Sequence, residues 1–549
     1  DILMASPVIV GLRKKYPNAE IDLLVNSPYH NLSSKFFGVN RIIPFERRIL
    51  QDGLVKPERA QFESFDKMKT FIQMLNMSNY SLVVNLTQNK LSGYLTEAIE
   101  ATEKLGLTLN EMNQPRYGNI WFKYLNDVVG AKVKSIFHFT DINYFGLGLG
   151  KAGQQFHFNE TDDGRDEVDL FLKMNNVCGR VKIVIQPLTS DEKKNFPIRK
   201  WQETIEQIRI FDSKVEIILL GAPNEAAVIN QMQIELKEKN ITVHVAILSI
   251  AGAFSLLKKC NQLLTGDTSI KHLAAATDIA VFELSLGSSD LRKTGAYSKN
   301  SLILKSKVGC SPCQHNSNCL KSSHECSALL RGDLLGLAAI KHLHGDWAGL
   351  KILADEYEDE FEFYKTDITK LGFWHADNIL NQKSESSLSD FLDLAAWKFL
   401  IEKQHLLALA PYGFEGCLIR EYIKSNWAAS DETLLRLSLG QIENSVLDSE
   451  YQLNKILSSI TKSLRSANTR PVLDFIENEF HSDICNLESK LKLGNYFSEK
   501  LSLDDNLGLF KMRRLQSSLS EVFNHQQIKL KLVCSIKNQI LNMNKLEEL

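Results

Sequence analysis

Groups that could bind a phosphate are concentrated in residues 264–274, which read Leu-Thr-Gly-Asp-Thr-Ser-Ile-Lys-His-Leu-Ala. A strand pattern ends there, a polar turn follows at Asp267 and Thr268, and a helical pattern begins at Ser269. The first N–H groups of a helix lack intrahelical acceptors and its dipole is positive there, so the turn could hold a diphosphate. The turn residues also fit a plain helix cap, with His272 in the core. Spacing alone leaves both interpretations open.

A cluster of cysteines forms the second candidate site. Four of them fall within seventeen residues, with two histidines interleaved: Cys310, Cys313, His315, Cys319, His324 and Cys326. Four thiolates on a short loop could close a tetrahedral site for Zn²⁺ or a single Fe. The spacing is tighter than in a zinc ribbon, so unligated or redox-active thiols are the alternative. We expect a structural metal and no catalytic role.

Strand and helix patterns alternate around the first site. Short apolar runs typical of buried strands are separated by helix-like segments. These runs lie at 21–25, 41–45, 81–86, 181–185, 215–220, 241–245, 262–265 and 280–284. The alternation predicts an α/β fold with two parallel sheets flanked by helices. Because open sheets bind ligands at the carboxyl ends of their strands, we expect the site in a cleft between the two units.

The pattern changes after about residue 346. An acidic run precedes 361–364, which fits a short strand, and from about residue 389 the pattern is mostly helical. The run contains Asp355, Glu356, Glu358, Asp359 and Glu360, and we interpret it as solvated surface rather than a metal site. The predicted domains are an N-terminal lobe over 1–165, a second lobe over 166–345 and a mainly helical extension over 346–549.

Five segments, in the right order, resemble glycosyltransferase family 9, the ADP-heptose:lipopolysaccharide heptosyltransferases. The Asp-Thr-x-x-x-His-Leu-Ala sequence at 267–274 is similar to the nucleotide-binding signature of that family. The other segments are 1–7 with 12–17, 194–201, 220–225, and 294–297 with 310–313. The resemblance covers about residues 1–335. It implies a GT-B fold of two Rossmann-like lobes, with the sugar nucleotide held mainly by the second lobe.

The resemblance implies that Asp1 is the catalytic base. It would take the proton from an acceptor hydroxyl as that oxygen attacks the anomeric carbon with inversion. The chain opens at Asp1 without a Met, inside an apolar segment. We therefore expect a fragment in which a preceding strand is absent, and the role of Asp1 depends on that strand.

The resemblance also implies a nucleotide-sugar site. Its residues are Lys194, Glu225, Asp267, Thr268, Ser269 and His272. Lys194 would balance charge on the departing diphosphate, and the amides of Thr268 and Ser269 would donate to it. Glu225 would hold the ribose or base, and His272 would sit beside the phosphates. As alternatives, Lys194 lies in a solvated loop and Glu225 caps a helix. Ser269 replaces the usual Gly of the family, and its Cβ is tolerable there if φ is negative.

Composition excludes several classes of protein. The chain has 549 residues, 44% of them hydrophobic, which rules out wholesale disorder and suggests about three or four domains. Its 64 Lys and Arg against 66 Asp and Glu give a net charge of −2, so no basic field attracts nucleic acid. Nine unevenly spread cysteines fit a reducing cytoplasm better than a disulfide framework.

These inferences combine into one hypothesis. The protein is an inverting glycosyltransferase that moves heptose, or a related sugar, from a nucleotide-sugar donor to a lipopolysaccharide core or another glycan or protein acceptor. We expect ADP-heptose as the donor and no metal requirement for transfer. We also expect a cytoplasmic location. Peripheral contact with the inner membrane and a homo-oligomer are both compatible with this hypothesis. The alternative is a non-catalytic scaffold on the same fold, which Ser269 and the long helical extension leave open.

Overall fold

The computed structural model describes most of the chain up to residue 380 and selected segments beyond it. The described residues are 2–33, 36–48, 61–126, 137–149, 156–179, 181–313, 318–319, 321, 324–368, 372–380, 388–389, 392–393, 396, 432–465 and 508–542. The chain divides into two compact units. The first comprises 1–122 with 137–380, and the second comprises 123–136 with 381–549.

The first unit is an α/β structure built on an eight-stranded sheet. The strands, in chain order, are β1 Asp22–Asn26, β2 Arg41–Phe45, β3 Tyr80–Val84, β4 Ala101–Leu105, β5 Thr108–Leu109, β6 Pro115–Arg116, β7 Lys182–Gln186, β8 Glu216–Gly221, β9 His244–Ile247, β10 Gln262–Gly266, β11 Ala280–Leu284, β12 Leu302–Ser306, β13 Phe361–Ile368 and β14 Trp374–Asn378. The large sheet has the order β14-β13-β12-β11-β10-β7-β8-β9. Strands β7 to β12 pair in parallel, and β13 and β14 pair antiparallel.

Helices cover both faces of this sheet. The described helices of the whole chain are, in chain order, α1 Ser6–Lys15, α2 His30–Ser33, α3 Gln61–Asn76, α4 Lys90–Ala98, α5 Ile120–Tyr124, α6 Phe139–Gly146, α7 Asp162–Met174, α8 Ile198–Phe211, α9 Ala226–Glu238, α10 Ile250–Lys258, α11 Ser269–Ala274, α12 Leu291–Thr294, α13 Glu325–Ala328, α14 Gly332–Leu343, α15 Trp347–Glu356, α16 Glu432–Arg465 and α17 Gly508–Asn542, of which α16 and α17 belong to the second unit. Successive residues of a strand face opposite sides. Accordingly, Leu264 packs in the core that contains Trp201 of α8, and Leu263 packs in the one that contains Phe254 of α10.

The N-terminal strands lie in smaller sheets. Strands β1 and β2 form one parallel pair, β3 and β4 form another, and β5 and β6 form an antiparallel pair. The predicted strands near residues 21, 41 and 81 are therefore present. Within the described residues they pair two by two, so a continuous N-terminal sheet stays a prediction.

The segment 346–380 differs from the prediction of a separate helical extension. It belongs to the first unit, where α15 precedes β13 and β14, and β13 pairs with β12 of the main sheet. Phe361 and Phe363 are buried in the core of that sheet, which explains why the chain returns to it. The acidic residues before β13 are exposed, as expected: Asp355, Glu356, Glu358, Asp359 and Glu360.

The described part of the second unit is mainly helical. Helices α16 and α17 pack against each other through buried aliphatic residues that include Leu439 and Val533. Lys529 is buried as well, and its Nζ lies 2.8 Å from Oδ1 of Asp393. In the described parts of the chain, no helix is both long enough and apolar enough to span a bilayer.

Candidate functional site

The loops after β7 and β10 meet at the carboxyl edge of the large sheet. The two strands are parallel neighbours, and Thr265 of β10 is in register with Gln186 of β7. A Cβ atom on Gly266 would lie 3.0 Å from Cγ2 of Thr189, so the loop after β7 passes directly over the end of β10. This close approach favours a glycine, and it brings together two loops that the sequence separates by about 75 residues.

Lys194 and Asp267 form an ion pair at this edge. Nζ of Lys194 lies 2.7 Å from Oδ2 of Asp267, and their side chains are 13% and 11% exposed. Burial alone would favour the neutral carboxyl, but the ammonium groups of Lys271 and Lys194 hold the pKa of Asp267 well below its usual range. The structure therefore does not support the solvated-loop alternative for Lys194. It places a lysine ammonium at a partly open position beside the turn.

A second ion pair lies behind the first. Nζ of Lys271 contacts Oδ1 of Asp267 at 2.6 Å and Oε1 of Glu283 at 2.7 Å, and neither Lys271 nor Glu283 has any exposed side-chain surface. The other carboxylate oxygen of Glu283 accepts the backbone N–H of Ala296 at 2.7 Å. Four charged side chains thus form a continuous chain from the sheet edge into the core.

The start of α11 carries no side-chain cap from Thr268. Thr268 occupies the cap position with extended dihedral angles, φ −134° and ψ 168°, but makes no capping hydrogen bond. Its hydroxyl instead donates to Oε1 of Gln186 at 2.6 Å, while Asp267 faces the two lysines. The cap alternative is therefore not realised by either residue. Ser269 begins the helix with an exposed side chain and without a positive φ, so its Cβ is accommodated.

His272 lies in the core beside this network. It is 5% exposed, and its ring is stacked on Phe156 with a centroid distance of 6.2 Å and an interplanar angle of 9°. Among the described residues, no hydrogen-bond partner reaches its Nδ1. Burial, together with the charge of Lys271, holds the pKa of His272 well below 6.5, so the ring is neutral.

Glu225 lies at the same sheet edge, one strand farther away. It follows β8, which is separated from β10 by β7. Its Oε2 accepts the backbone N–H of Ala222 at 2.8 Å, a capping contact of the kind foreseen as its alternative. The structure therefore brings Lys194, Asp267 and Thr268 together and places Glu225 after a different strand, β8. Asp1 lies outside the described residues.

The loop after β11 joins the cysteine segment to this edge. Gly287 has φ +58°, and a Cβ atom there would lie 2.4 Å from the carbonyl oxygen of Lys193. Oγ of Ser288 donates to Oδ2 of Asp191 at 3.1 Å, and the N–H of Cys313 donates to the carbonyl of Gly287 at 2.8 Å. The cysteine segment is therefore anchored next to the loop that carries Lys194.

The four clustered cysteines are free thiols in the structure. Burial raises the pKa of Cys313, and the neighbouring Cys310, Cys326 and Cys319 raise it further. However, no group of three or more potential ligands within the described residues is arranged to hold a metal ion. His315 lies outside those residues. The donor set suits Zn²⁺ or Fe chemically, and the structural metal stays a prediction.

Sequence reasoning missed Lys271 and Glu283 as members of the site. The signal was present, because Glu283 interrupts the apolar strand Ala-Val-Phe-Glu-Leu and Lys271 lies in an otherwise apolar helix. Charged side chains are almost never fully buried without a partner. Two opposite charges at buried positions on adjacent elements could therefore have been paired from the pattern alone.

Comparisons with known proteins indicate the class of this protein. Residues 68–324 match the family model described as glycosyltransferase family 9 (heptosyltransferase). The chain is 22% identical over 292 residues to lipopolysaccharide heptosyltransferase 3 of Escherichia coli K12, covering 52% of this chain and 78% of that protein. It is 23% identical over 311 residues to lipopolysaccharide heptosyltransferase 1 of the same strain, covering 56% and 90%.

A solved structure gives a weaker comparison. The structure of E. coli ADP-heptose lps heptosyltransferase II aligns with 63% of this chain and 96% of its own, at 15% identity and a TM-score of 0.44. The family match and the curated relatives define the class of this protein, which is a glycosyltransferase. More narrowly, the part of the chain that matches a family model, residues 68–324, is similar to glycosyltransferase family 9.

Proposed function

We propose that the protein is an inverting glycosyltransferase of GT-B type that transfers heptose from a nucleotide-sugar donor, ADP-heptose. The acceptor we propose is a lipopolysaccharide core, with another glycan or a protein as the wider class. The curated relatives are named as lipopolysaccharide heptosyltransferases, which supports the sugar and the acceptor class. Such an acceptor would place the reaction at the cytoplasmic face of the inner membrane.

One observation carries the proposal: the ammonium of Lys194 is held by Asp267 beside a helix start that Thr268 leaves uncapped. In glycosyl transfer the bond between the sugar and the nucleoside diphosphate breaks. The diphosphate departs, so negative charge develops on its leaving oxygen. A fixed ammonium and the backbone N–H groups of a first helical turn, which have no intrahelical acceptors, would at that place stabilise the transition state more than the ground state. Both groups follow strands of the large sheet at its carboxyl edge, where open α/β sheets bind ligands.

The remaining roles follow from the family resemblance. Asp1 would act as general base toward the acceptor hydroxyl, a contribution of roughly 10²–10⁴-fold in rate. His272 would lie beside the phosphates as a neutral ring, and Glu225 would hold the ribose or base. The transfer needs no bound metal under this proposal, and Cys310, Cys313, Cys319 and Cys326 would serve only a structural ion.

Donor recognition is tested by thermal shift with ADP-, UDP- and GDP-sugars. We expect the ADP-sugar to stabilise the full chain most. Lys194→Met should abolish that shift, while Lys237→Met, at the far end of α9, serves as a matched control and should retain it. Equal null shifts for all three donors would overturn the proposal.

The role of Asp1 needs a kinetic test. Asp1→Asn should lower kcat for transfer by at least about a hundredfold and leave donor affinity unchanged, because a general base acts on the acceptor. Unchanged turnover would remove Asp1 from the mechanism without affecting the donor site.

A further inference from the structure

Lys271 and Glu283 lie directly behind the proposed diphosphate site. Both side chains are fully buried, and their Nζ and Oε1 atoms are 2.7 Å apart. They therefore cannot contact a ligand themselves. Any influence on the donor must pass through Asp267, whose Oδ1 lies 2.6 Å from Nζ of Lys271.

Asp267 is shared between two ammonium groups. Its Oδ1 faces Lys271 and its Oδ2 faces Lys194. A carboxylate with a single cationic partner would attract that partner more strongly than a carboxylate shared between two, and would compete more strongly with an incoming phosphate. Because Lys271 occupies one oxygen, Lys194 is held in place by the other and keeps donors for an anion. An ammonium has three N–H donors in all.

Glu283 makes the burial of Lys271 tolerable. Its carboxylate balances the charge of the Lys271 ammonium, and its Oε2 accepts the backbone N–H of Ala296 at 2.7 Å. The two lysines and two carboxylates then sum to zero charge, which is the condition under which such groups remain buried. The pair is therefore both positioned and electrically balanced.

We propose that Lys271 and Glu283 are positioning residues. Together they determine how strongly the carboxylate of Asp267 binds Lys194, and thereby set the affinity of Lys194 for the donor diphosphate. This inference rests on the proposed function, in which Lys194 binds that diphosphate. Under this inference, Lys271 and Glu283 contribute to donor affinity although neither contacts the ligand.

The test is calorimetric titration of the full chain with inorganic pyrophosphate. The double variant Lys271→Met/Glu283→Gln removes both charges and keeps an acceptor for the N–H of Ala296. We expect pyrophosphate affinity to fall about tenfold, the effect of one charge-assisted hydrogen bond gained by the competing carboxylate. The matched control is Lys305→Met/Glu362→Gln, which removes a 3.1 Å Lys–Glu pair between β12 and β13 and should leave the affinity unchanged.

The single variant Glu283→Gln should change the pyrophosphate affinity in the opposite direction. In Glu283→Gln, Asp267 becomes the remaining anionic partner of Lys271 in the network, so Lys194 is released further and pyrophosphate should bind several-fold more tightly. A purely structural role predicts weaker binding in both variants. Weaker binding by Glu283→Gln, or unchanged binding by a folded double variant, would overturn the inference. Should the double variant lose its circular dichroism spectrum, the single variant decides alone. Failure of the wild-type chain to bind either pyrophosphate or ADP would instead overturn the proposed function.

Discussion

The indole N–H of Trp374 donates to the backbone carbonyl of Ala296 at 2.8 Å. The N–H of the same Ala296 donates to Glu283, so one peptide segment connects β14 with the buried charge network. Trp374 is 2% exposed, and it lies in the antiparallel hairpin at the edge of the sheet. The hairpin therefore contributes a hydrogen bond to the support of the candidate site.

Trp374→Phe should destabilise the protein by roughly 1–3 kcal/mol, because the buried carbonyl of Ala296 loses its donor and the smaller ring leaves space. The expected result is a lower midpoint of thermal unfolding. Trp347→Phe is a suitable comparison, since Trp347 is only half-buried and lies in α15. An equal effect of the two substitutions would contradict the importance of the indole bond.

Lys271→Met alone should be more damaging than its combination with Glu283→Gln. The single substitution leaves the buried carboxylate of Glu283 without its cation, at a cost of roughly 3–5 kcal/mol, whereas removing both charges avoids that cost. Urea unfolding of the full chain measures the difference. If both variants lose the same free energy of unfolding, the ion pair is not what balances Glu283.

The sheet could be predicted from the sequence because parallel strands buried on both faces are continuous apolar runs. The runs at 181–185, 262–265 and 280–284 correspond to β7, β10 and β11 within a residue at their ends. The turn at Asp267 and Thr268 was found for the same reason, since it interrupts such a pattern.

Other features could not be predicted, because they depend on contacts between distant segments. The pairing of β13 with β12 joins residues about 60 apart, and the acidic run before β13 favours a surface segment locally. The hydroxyl of Thr268 binds Gln186 instead of capping α11, a choice that depends on the neighbouring strand. Neither the strand pairing nor this hydrogen bond can be predicted from the spacing of residues along the chain.

The cysteine segment leads to a prediction about the metal content of the protein. We expect the purified full chain to contain about one Zn or Fe ion, because four thiols of suitable chemistry lie on one segment. Cys313→Ser should lower that content and, through the loss of the metal, destabilise the cysteine segment. Elemental analysis by mass spectrometry checks both. A purified wild-type chain that contains no metal, and whose stability does not change on treatment with chelator, would instead favour the unligated thiols.

Asp141 is a fully buried carboxyl group that should make stability depend on pH. It accepts the phenolic O–H of Tyr297, and its Oδ2 accepts the backbone N–H of Trp374 at 2.9 Å. Burial raises the pKa of Asp141 from 3.8 to about 8, although these hydrogen bonds oppose the shift. The native state therefore retains a proton that the unfolded chain releases.

The sign follows from proton linkage. Because the folded pKa of Asp141 lies above the unfolded one, the stability contributed by the neutral carboxyl is complete below about pH 4 and is lost as pH rises through 8. Asp141→Asn mimics the neutral form, since its amide can donate to Tyr297 and accept from Trp374. Relative to wild type, this variant should gain up to about 1.4 kcal/mol per pH unit across that range.

Urea unfolding of both proteins at pH 5 and pH 8 tests the prediction. Other titrating groups contribute to each curve; His138, for example, is buried with a pKa of about 3, and its neutral ring favours folding as pH rises toward 6.5. Such contributions are common to both proteins and cancel in the difference between them. A difference in unfolding free energy that stays constant between the two pH values would mean that Asp141 is ionised in the native state throughout.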